Sequence, residues 1–340
     1  MKFTIQQTDP VLIKEEIFNY WEKYLPGTPK KRFNWLQSNP EGKTEWFFAY
    51  NGQNNELAGV VSVMRHDLYY NGMIIHAGVV GDFMVGDKYR VYGPAMQLQK
   101  SVVECKNKMG LDILYTIPNS ASLKLCRRTG YLGEVTLCHM MRPLKSQNYI
   151  LRNWNGTFIK SLICAFVDRM LKILPIQISY NKKYHFQTDS SIDGSFDDFW
   201  TKISQNQDFM VGNRATGYLK WRYINNPESE FKFMKYLESG STVLLGYIAY
   251  CQKGNRISIY DIMALKNEYI AHMINQLLRL AYSEGCHAIY IRISRMDSYL
   301  KILKRYMFLD ANDDIPLMVF DDIHDIDYSK WAVYECDRNI

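Results

Sequence analysis

The 340-residue sequence contains no Cys-x-x-Cys pair. Its seven cysteines, Cys105, Cys126, Cys138, Cys164, Cys251, Cys286 and Cys336, are odd in number and widely spread. A cysteine-held zinc site needs short paired spacings, and a disulfide framework needs an even set. The pattern argues against both, so no metal is expected and a reducing compartment is. The opening residues, Met1-Lys2-Phe3-Thr4-Ile5, lack the long apolar core of a secretory leader. A cytoplasmic protein is expected. No dense Lys/Arg tract with interleaved aromatics is present either. The net charge of +6 suits an acidic or phosphorylated partner but is too mild to argue for nucleic acid, and none is expected.

Two common phosphate loops are missing too. No Gly-Lys-Ser/Thr ending follows Gly93, which excludes a Walker loop, and the three spaced glycines of a dinucleotide fingerprint are absent. What is present is a globular composition, 47% hydrophobic and 22% charged, in a chain long enough for two domains. Its aromatic content of 14% is high enough to supply ligand clefts as well as core.

The informative stretch is residues 81–131. An apolar run, Val79-Val80-Gly81-Asp82-Phe83-Met84-Val85, reads as a buried strand. A turn through Arg90-Val91-Tyr92-Gly93-Pro94-Ala95 follows, and helical spacing then holds over residues 96–109. Gly93 lets a ligand approach the backbone closely, and Pro94 suits a first helical turn. Helix N–H groups and the positive end of the dipole then make an anion cradle, with Arg90 adding a fixed charge. Downstream, Asp112-Ile113-Leu114-Tyr115-Thr116-Ile117 reads as a second buried strand, followed by Pro118-Asn119-Ser120-Ala121-Ser122-Leu123-Lys124-Leu125-Cys126-Arg127-Arg128-Thr129-Gly130-Tyr131.

Arg90-x-x-Gly93-x-Ala95, with Val85 at the strand end, resembles the pyrophosphate motif of the GNAT superfamily of CoA-dependent N-acyltransferases. Asn119, Ser122, Leu125, Gly130 and Tyr131 fall in register with that family's second signature. The resemblance implies an α/β fold built on a mixed sheet, with acetyl-CoA as co-substrate. It places backbone groups of Phe83, Met84 and Val85 on the pantetheine arm. It puts amides of the segment from Arg90 through Val91, Tyr92, Gly93 and Pro94 to Ala95 on the pyrophosphate. Asn119 and Ser122 would lie near the CoA arm. Cys126 stands where the family usually carries a tyrosine that protonates the departing thiolate; it is either a substitute proton donor or a small apolar filler. Asp82, beside the cleft, is the first candidate for the amine's proton acceptor, with His76, His139 and Glu134 behind it. A water relay is the remaining option.

The chain also repeats itself. Trp221-Arg222-Tyr223-Ile224-Asn225-Asn226-Pro227-Glu228 resembles Asn34-Trp35-Leu36-Gln37-Ser38-Asn39-Pro40-Glu41. Strand–strand–strand–helix–strand patterns follow each. The second copy has no glycine between Leu265 and Ile274, and Met307-Phe308 replaces the Gly-Tyr ending. The expected organisation is two tandem GNAT-like domains, the second degenerate: 1–145 binding acyl-CoA, 146–180 an amphipathic linker helix, 181–340 a supporting wall. Such tandem chains, and the phrase around Gln97-Leu98-Gln99, loosely resemble members from bacterial surface-polysaccharide clusters. Lys160, Asp168, Arg169 and Lys172 interrupt the linker helix, so it does not span a membrane. Packing between domains is preferred over a peripheral membrane contact.

The expected activity is transfer of an acetyl group to a primary amine on a small molecule, with an amino sugar or nucleotide-linked amino sugar as one acceptor. The alternatives are a Fem-type aminoacyl transferase and a non-catalytic CoA-binding scaffold.

Overall fold

The computed structural model describes residues 2–90, 93–146, 157–173, 183–206, 208–322 and 326–338. The first half begins with β1 (Phe3–Gln7), α1 (Lys14–Tyr24) and α2 (Lys31–Gln37). The antiparallel strands β2 (Glu45–Asn51), β3 (Leu57–Tyr70) and β4 (Met73–Val85) follow. Sequence patterning divides the third and fourth strands into shorter pieces. In the structure each is continuous, because the β3–β4 ladder runs unbroken from Tyr70↔Met73 to Ser62↔Gly81. The turn between them is the expected Asn-Gly hairpin, with both φ values positive at 50° and 75°. Then come α3 (Pro94–Cys105), β5 (Ile113–Thr116), α4 (Ser120–Arg128) and β6 (Leu132–Pro143).

The second half carries α5 (Thr157–Ile173), β7 (Tyr184–Asp189), α6 (Ser195–Asn206), β8 (Val211–Gly212) and α7 (Thr216–Leu219). It continues through β9 (Lys232–Glu238), β10 (Leu244–Lys253), β11 (Arg256–Ala264), α8 (Asn267–Ser283), β12 (Ala288–Ser294), α9 (Tyr299–Arg305), β13 (Leu309–Asp310) and β14 (Ile315–Phe320).

The strands join in one mixed sheet, ordered β1-β2-β3-β4-β5-β14-β6-β12-β11-β10-β9-β7. The order shows an exchange. The last strand, β14, lies between β5 and β6, and β6 lies against β12. Each half therefore completes its sheet with a strand of the other. Sequence patterning expects residues 137–141 to close the first half alone; the longer β6 instead bridges both.

Alternation along the strands sends Trp46, Phe48, Val60 and Met64 to one face of the first half, under α1 and α2. Phe47, Ala49, Val61 and Val63 go to the other, under α3. Helix α2 and the helical turn Lys220–Ile224 that follows α7, each leading into an Asn-Pro-Glu sequence, meet through stacked indoles. Trp35 and Trp221 lie 4.5 Å apart at 5°, each N–H donating to the other's backbone carbonyl at 2.8 Å. That reciprocal contact is what a pseudo-twofold relation between the halves requires.

Helix α5 buries Cys164 and Leu171 and leaves Leu162, Phe166 and Met170 exposed. Arg142 Nη2 donates to the Leu171 carbonyl at 2.7 Å, and Asp168 accepts the Ser146 N–H at 2.6 Å. Among the described residues no helix is long and apolar enough to cross a membrane.

Candidate functional site

Strands β4 and β5 run parallel but pair only from Ala77↔Ile113 to Val79↔Tyr115. Beyond that point β4 continues to Val85 while β5 has ended at Thr116. The strands part, with the Thr116 hydroxyl donating to the Val80 carbonyl at 2.9 Å near the apex. On its other side β4 pairs with β3 through a register shift, Ser62↔Gly81 and then Val60↔Met84. This bulge contains Asp82 and Phe83 and forces Asp82 to a φ of 45°. A non-glycine residue in the left-handed region is strained, so its surroundings must hold it.

They do so through charge. Arg32 Nη1 lies 2.5 Å from Asp82 Oδ1, and the Ser62 hydroxyl donates to Oδ2 at 2.9 Å. Arg32 Nε also meets Glu228 Oε1 at 2.9 Å, tying the bulge to the second half.

At the far end of β4 the chain turns through Arg90 to Gly93, whose φ of 88° is left-handed. Pro94 opens α3, and its first ladder bond is Gln97 N–H to the Gly93 carbonyl at 3.3 Å. The N–H groups of Ala95 and Met96 precede that bond and face out of the helix end. A Cβ built on Gly93 would meet nothing within 4 Å, so the backbone there is open to an approaching group. Arg90 Nε donates to the Val85 carbonyl at 3.4 Å, and its guanidinium pairs with Asp87 at 3.0 Å. This charge is anchored between strand end and turn. Val91 and Tyr92 lie outside the described residues.

Across the gap, Asn119 is the N-cap of α4. Its Oδ1 accepts from Ala121 N–H at 3.1 Å, Ser122 N–H at 2.9 Å and the Ser122 hydroxyl at 2.9 Å. Cys126 is buried in the same apolar cluster as Val80, Val85, Leu98 and Tyr131. Burial pushes its thiol up to about 11. The environment favours the packing role.

The structure thus places Asp82, Phe83, Met84 and Val85 on the part of β4 beyond the splay and Arg90, Gly93, Pro94 and Ala95 at the turn into α3, with Asn119, Ser122 and Cys126 at the start of and along the helix beyond β5. His76 stands apart from them. It sits six residues before Asp82 on β4, roughly 20 Å away, paired with Asp67 at 2.8 Å. His139 lies on β6 beside Tyr290 and Arg292. The Glu134 side chain is outside the described residues. Sequence reading misses Arg32, Ser62 and Thr116, whose roles depend on partners 50, 20 and 36 residues away.

The second half repeats the clamp. Asp261 occupies the Asp82 position in Asp261-Ile262-Met263-Ala264, beside a register shift between Ala249 and Tyr250. Arg214 Nε meets its Oδ2 at 2.7 Å. The repeat keeps the aspartate–arginine pair although its turn has no glycine. In the first half the pair holds Asp82 at its bulge.

No protein-family model matches this sequence, and no curated protein matches it. Solved structures do. The "Probable N-Acyltransferase" of Enterococcus faecalis V583 aligns with a TM-score of 0.67 at 14% identity, over 94% of this chain and 72% of that one. A GCN5-related N-acetyltransferase from Anabaena variabilis aligns at 0.66 and 14%, over 94% and 72%. The fold is that of the GCN5-related N-acetyltransferases. Saccharomyces cerevisiae N-myristoyltransferase with bound myristoyl-CoA also shares the GNAT fold, at 0.57 and 11% identity, over 94% and 82%. In this GNAT fold the β4–β5 splay and the Gly93 turn belong to the first half.

Proposed function

We propose that the protein is an acyl-CoA-dependent N-acyltransferase that moves an acetyl group from acetyl-CoA to a primary amine. The observation that carries the reading is the union, within a GNAT fold, of the β4–β5 splay with the open Gly93 turn at the start of α3. Residues 1–145 supply the donor site, and the degenerate repeat in 181–340 supplies the opposing wall.

The thioester lies in the splay, with backbone groups of Phe83 to Val85 along the pantetheine arm. Ala95 and Met96 N–H groups and Arg90 hold the pyrophosphate. Asn119 and Ser122 edge the arm from α4. Direct attack by the amine needs mainly proximity and orientation, worth several kcal/mol when both reactants are held. With Asp82 clamped and Cys126 packed in its apolar cluster, water carries the amine's proton away. A small amine is the acceptor class, and an amino sugar or nucleotide-linked amino sugar suits the positive net charge and aromatic supply.

Incubation with acetyl-CoA and a panel of amines, read by mass spectrometry of acetylated products, tests the reading. Product from at least one amine is expected; CoA binding with no turnover on any amine would point to a scaffold. Asp82→Asn is expected to lower thermal stability while leaving the acidic limb of the kcat/KM profile unmoved. A loss of kcat of about 10²-fold or more with that limb abolished would restore Asp82 as the base. Cys126→Ala should change kcat less than about threefold, because no proton passes through it.

A further inference from the structure

The second half has its own cleft. Strands β11 and β12 pair only from Arg256↔Ala288 to Ile259↔Ile291, and β11 then runs on unpaired to Ala264 on that side. A cavity of about 520 Å3 lies where they part, between the end of β11, the start of α8, the turn after β12, α6 and the C-terminal segment. That volume falls in the range of sites for small ligands, roughly 300–1,000 Å3. Leu265, Phe209 and Trp331 supply apolar wall, and Lys202, Lys266 and Lys330 line the same space.

The acidic groups of the lining are Asp208 and Asp297. Asp297 already accepts the Tyr334 hydroxyl at 2.8 Å and the Tyr299 N–H at 2.7 Å. Lys266 and Lys330 against Asp208, with Asp297 already engaged, favour an anion. A pyrophosphate is the wrong anion, because the turn into α8 has no glycine for close wrapping and Glu268 sits in its first turn. An apolar wall with lysines beside it suits one charge on an apolar body.

We propose that this cavity binds a small amphiphilic anion, a single phosphate or carboxylate on an aromatic or aliphatic body, at a site separate from acyl transfer. Four strands, β5, β14, β6 and β12, stand between the two splays, a separation of roughly 19 Å. β6 runs antiparallel to both β14 and β12, and β14 runs antiparallel to β5. The clefts therefore open toward opposite edges of the sheet, and a ligand in one leaves the other free.

Titration calorimetry on the full chain with phenyl phosphate and benzoate tests this, with phenol and inorganic phosphate as controls carrying one feature each. At least one of the two aromatic anions should bind saturably, and both controls far more weakly; which anion wins identifies the head group. Lys266→Glu combined with Lys330→Glu should weaken that binding by about 30-fold. Both lysines are exposed, so the fold should survive. Met296→Trp, at an exposed position lining the cavity, should block entry independently. Gly93→Val should leave it untouched. Failure of both anions at millimolar concentration, equal affinity in the lysine variant, or loss in Gly93→Val would overturn the proposal.

Discussion

Arg214→Met should destabilise the fold by about 3–5 kcal/mol, a large fraction of a typical folding free energy of about 5–15 kcal/mol. Arg214 is fully buried, with Nε on Asp261 at 2.7 Å and Nη2 on Asp337 at 2.8 Å. The Tyr247 hydroxyl also donates to Asp261, at 2.7 Å, and His66 Nε2 stands 3.1 Å from Asp337. His66 Nδ1 in turn faces Glu41 at 3.2 Å, and Glu41 accepts from the Asn213 amide at 2.9 Å. Removing the guanidinium strands two carboxylates where no water can solvate them, which is why the effect exceeds that of a lost surface pair. The network spans both halves and the C-terminal segment, so one substitution should loosen all three. Chemical denaturation of the variant measures it. A midpoint within experimental error of the wild type would show that the network is not a stability determinant.

The same network sets a pH dependence. Burial alone would raise the Asp337 carboxyl, but Arg214 and His66 outweigh it and hold the group well below the usual carboxylate range. The folded state then binds fewer protons there than the unfolded state, and stability falls as pH drops below about 4. Burial alone would lower His66, yet the carboxylates of Asp337 and Glu41 raise it above its ordinary value. That contribution is present below about pH 6.5 and is lost as pH rises through the folded value. In a His66→Gln variant the loss on the alkaline side should disappear and the acid side should persist.

Gly93→Val should cut kcat/KM for acetyl transfer by about 10²-fold while moving thermal stability only slightly. The left-handed φ of 88° costs a β-branched residue of order 1–2 kcal/mol. No protein atom lies within 4 Å of the added Cβ, so the fold itself loses little more. In the proposed donor site, the space that the valine fills is the space through which a phosphate would reach the Ala95 and Met96 amides. Gly93→Ala should be milder than Gly93→Val on both counts. Equal activity in all three proteins would remove the turn from the site.

Local features of the proposed donor site were legible in sequence as helix starts. The Gly93-Pro94 turn and the Asn119-x-x-Ser122 cap are short-range signals, and both formed as helix starts where their chemistry places them. The splay was not legible as geometry, because it depends on where the pairing of β4 and β5 stops. The strand exchange was equally hidden. β14 carries the same apolar character whether it closes its own half or the other, and only packing decides. The Arg32–Asp82 clamp pairs residues 50 apart in the chain, and no local pattern announces it. The repeat was visible, but the matching of Asp82 with Asp261 needed the register of both bulges.

The most direct test of the donor site is calorimetric titration of the purified protein with acetyl-CoA, run beside an Arg90→Glu, Gly93→Trp variant. The β4–α3 turn as cradle predicts saturable one-to-one binding by the wild type and none by the variant. Wild-type protein that binds no acetyl-CoA, or a variant that binds it as well, would contradict that assignment.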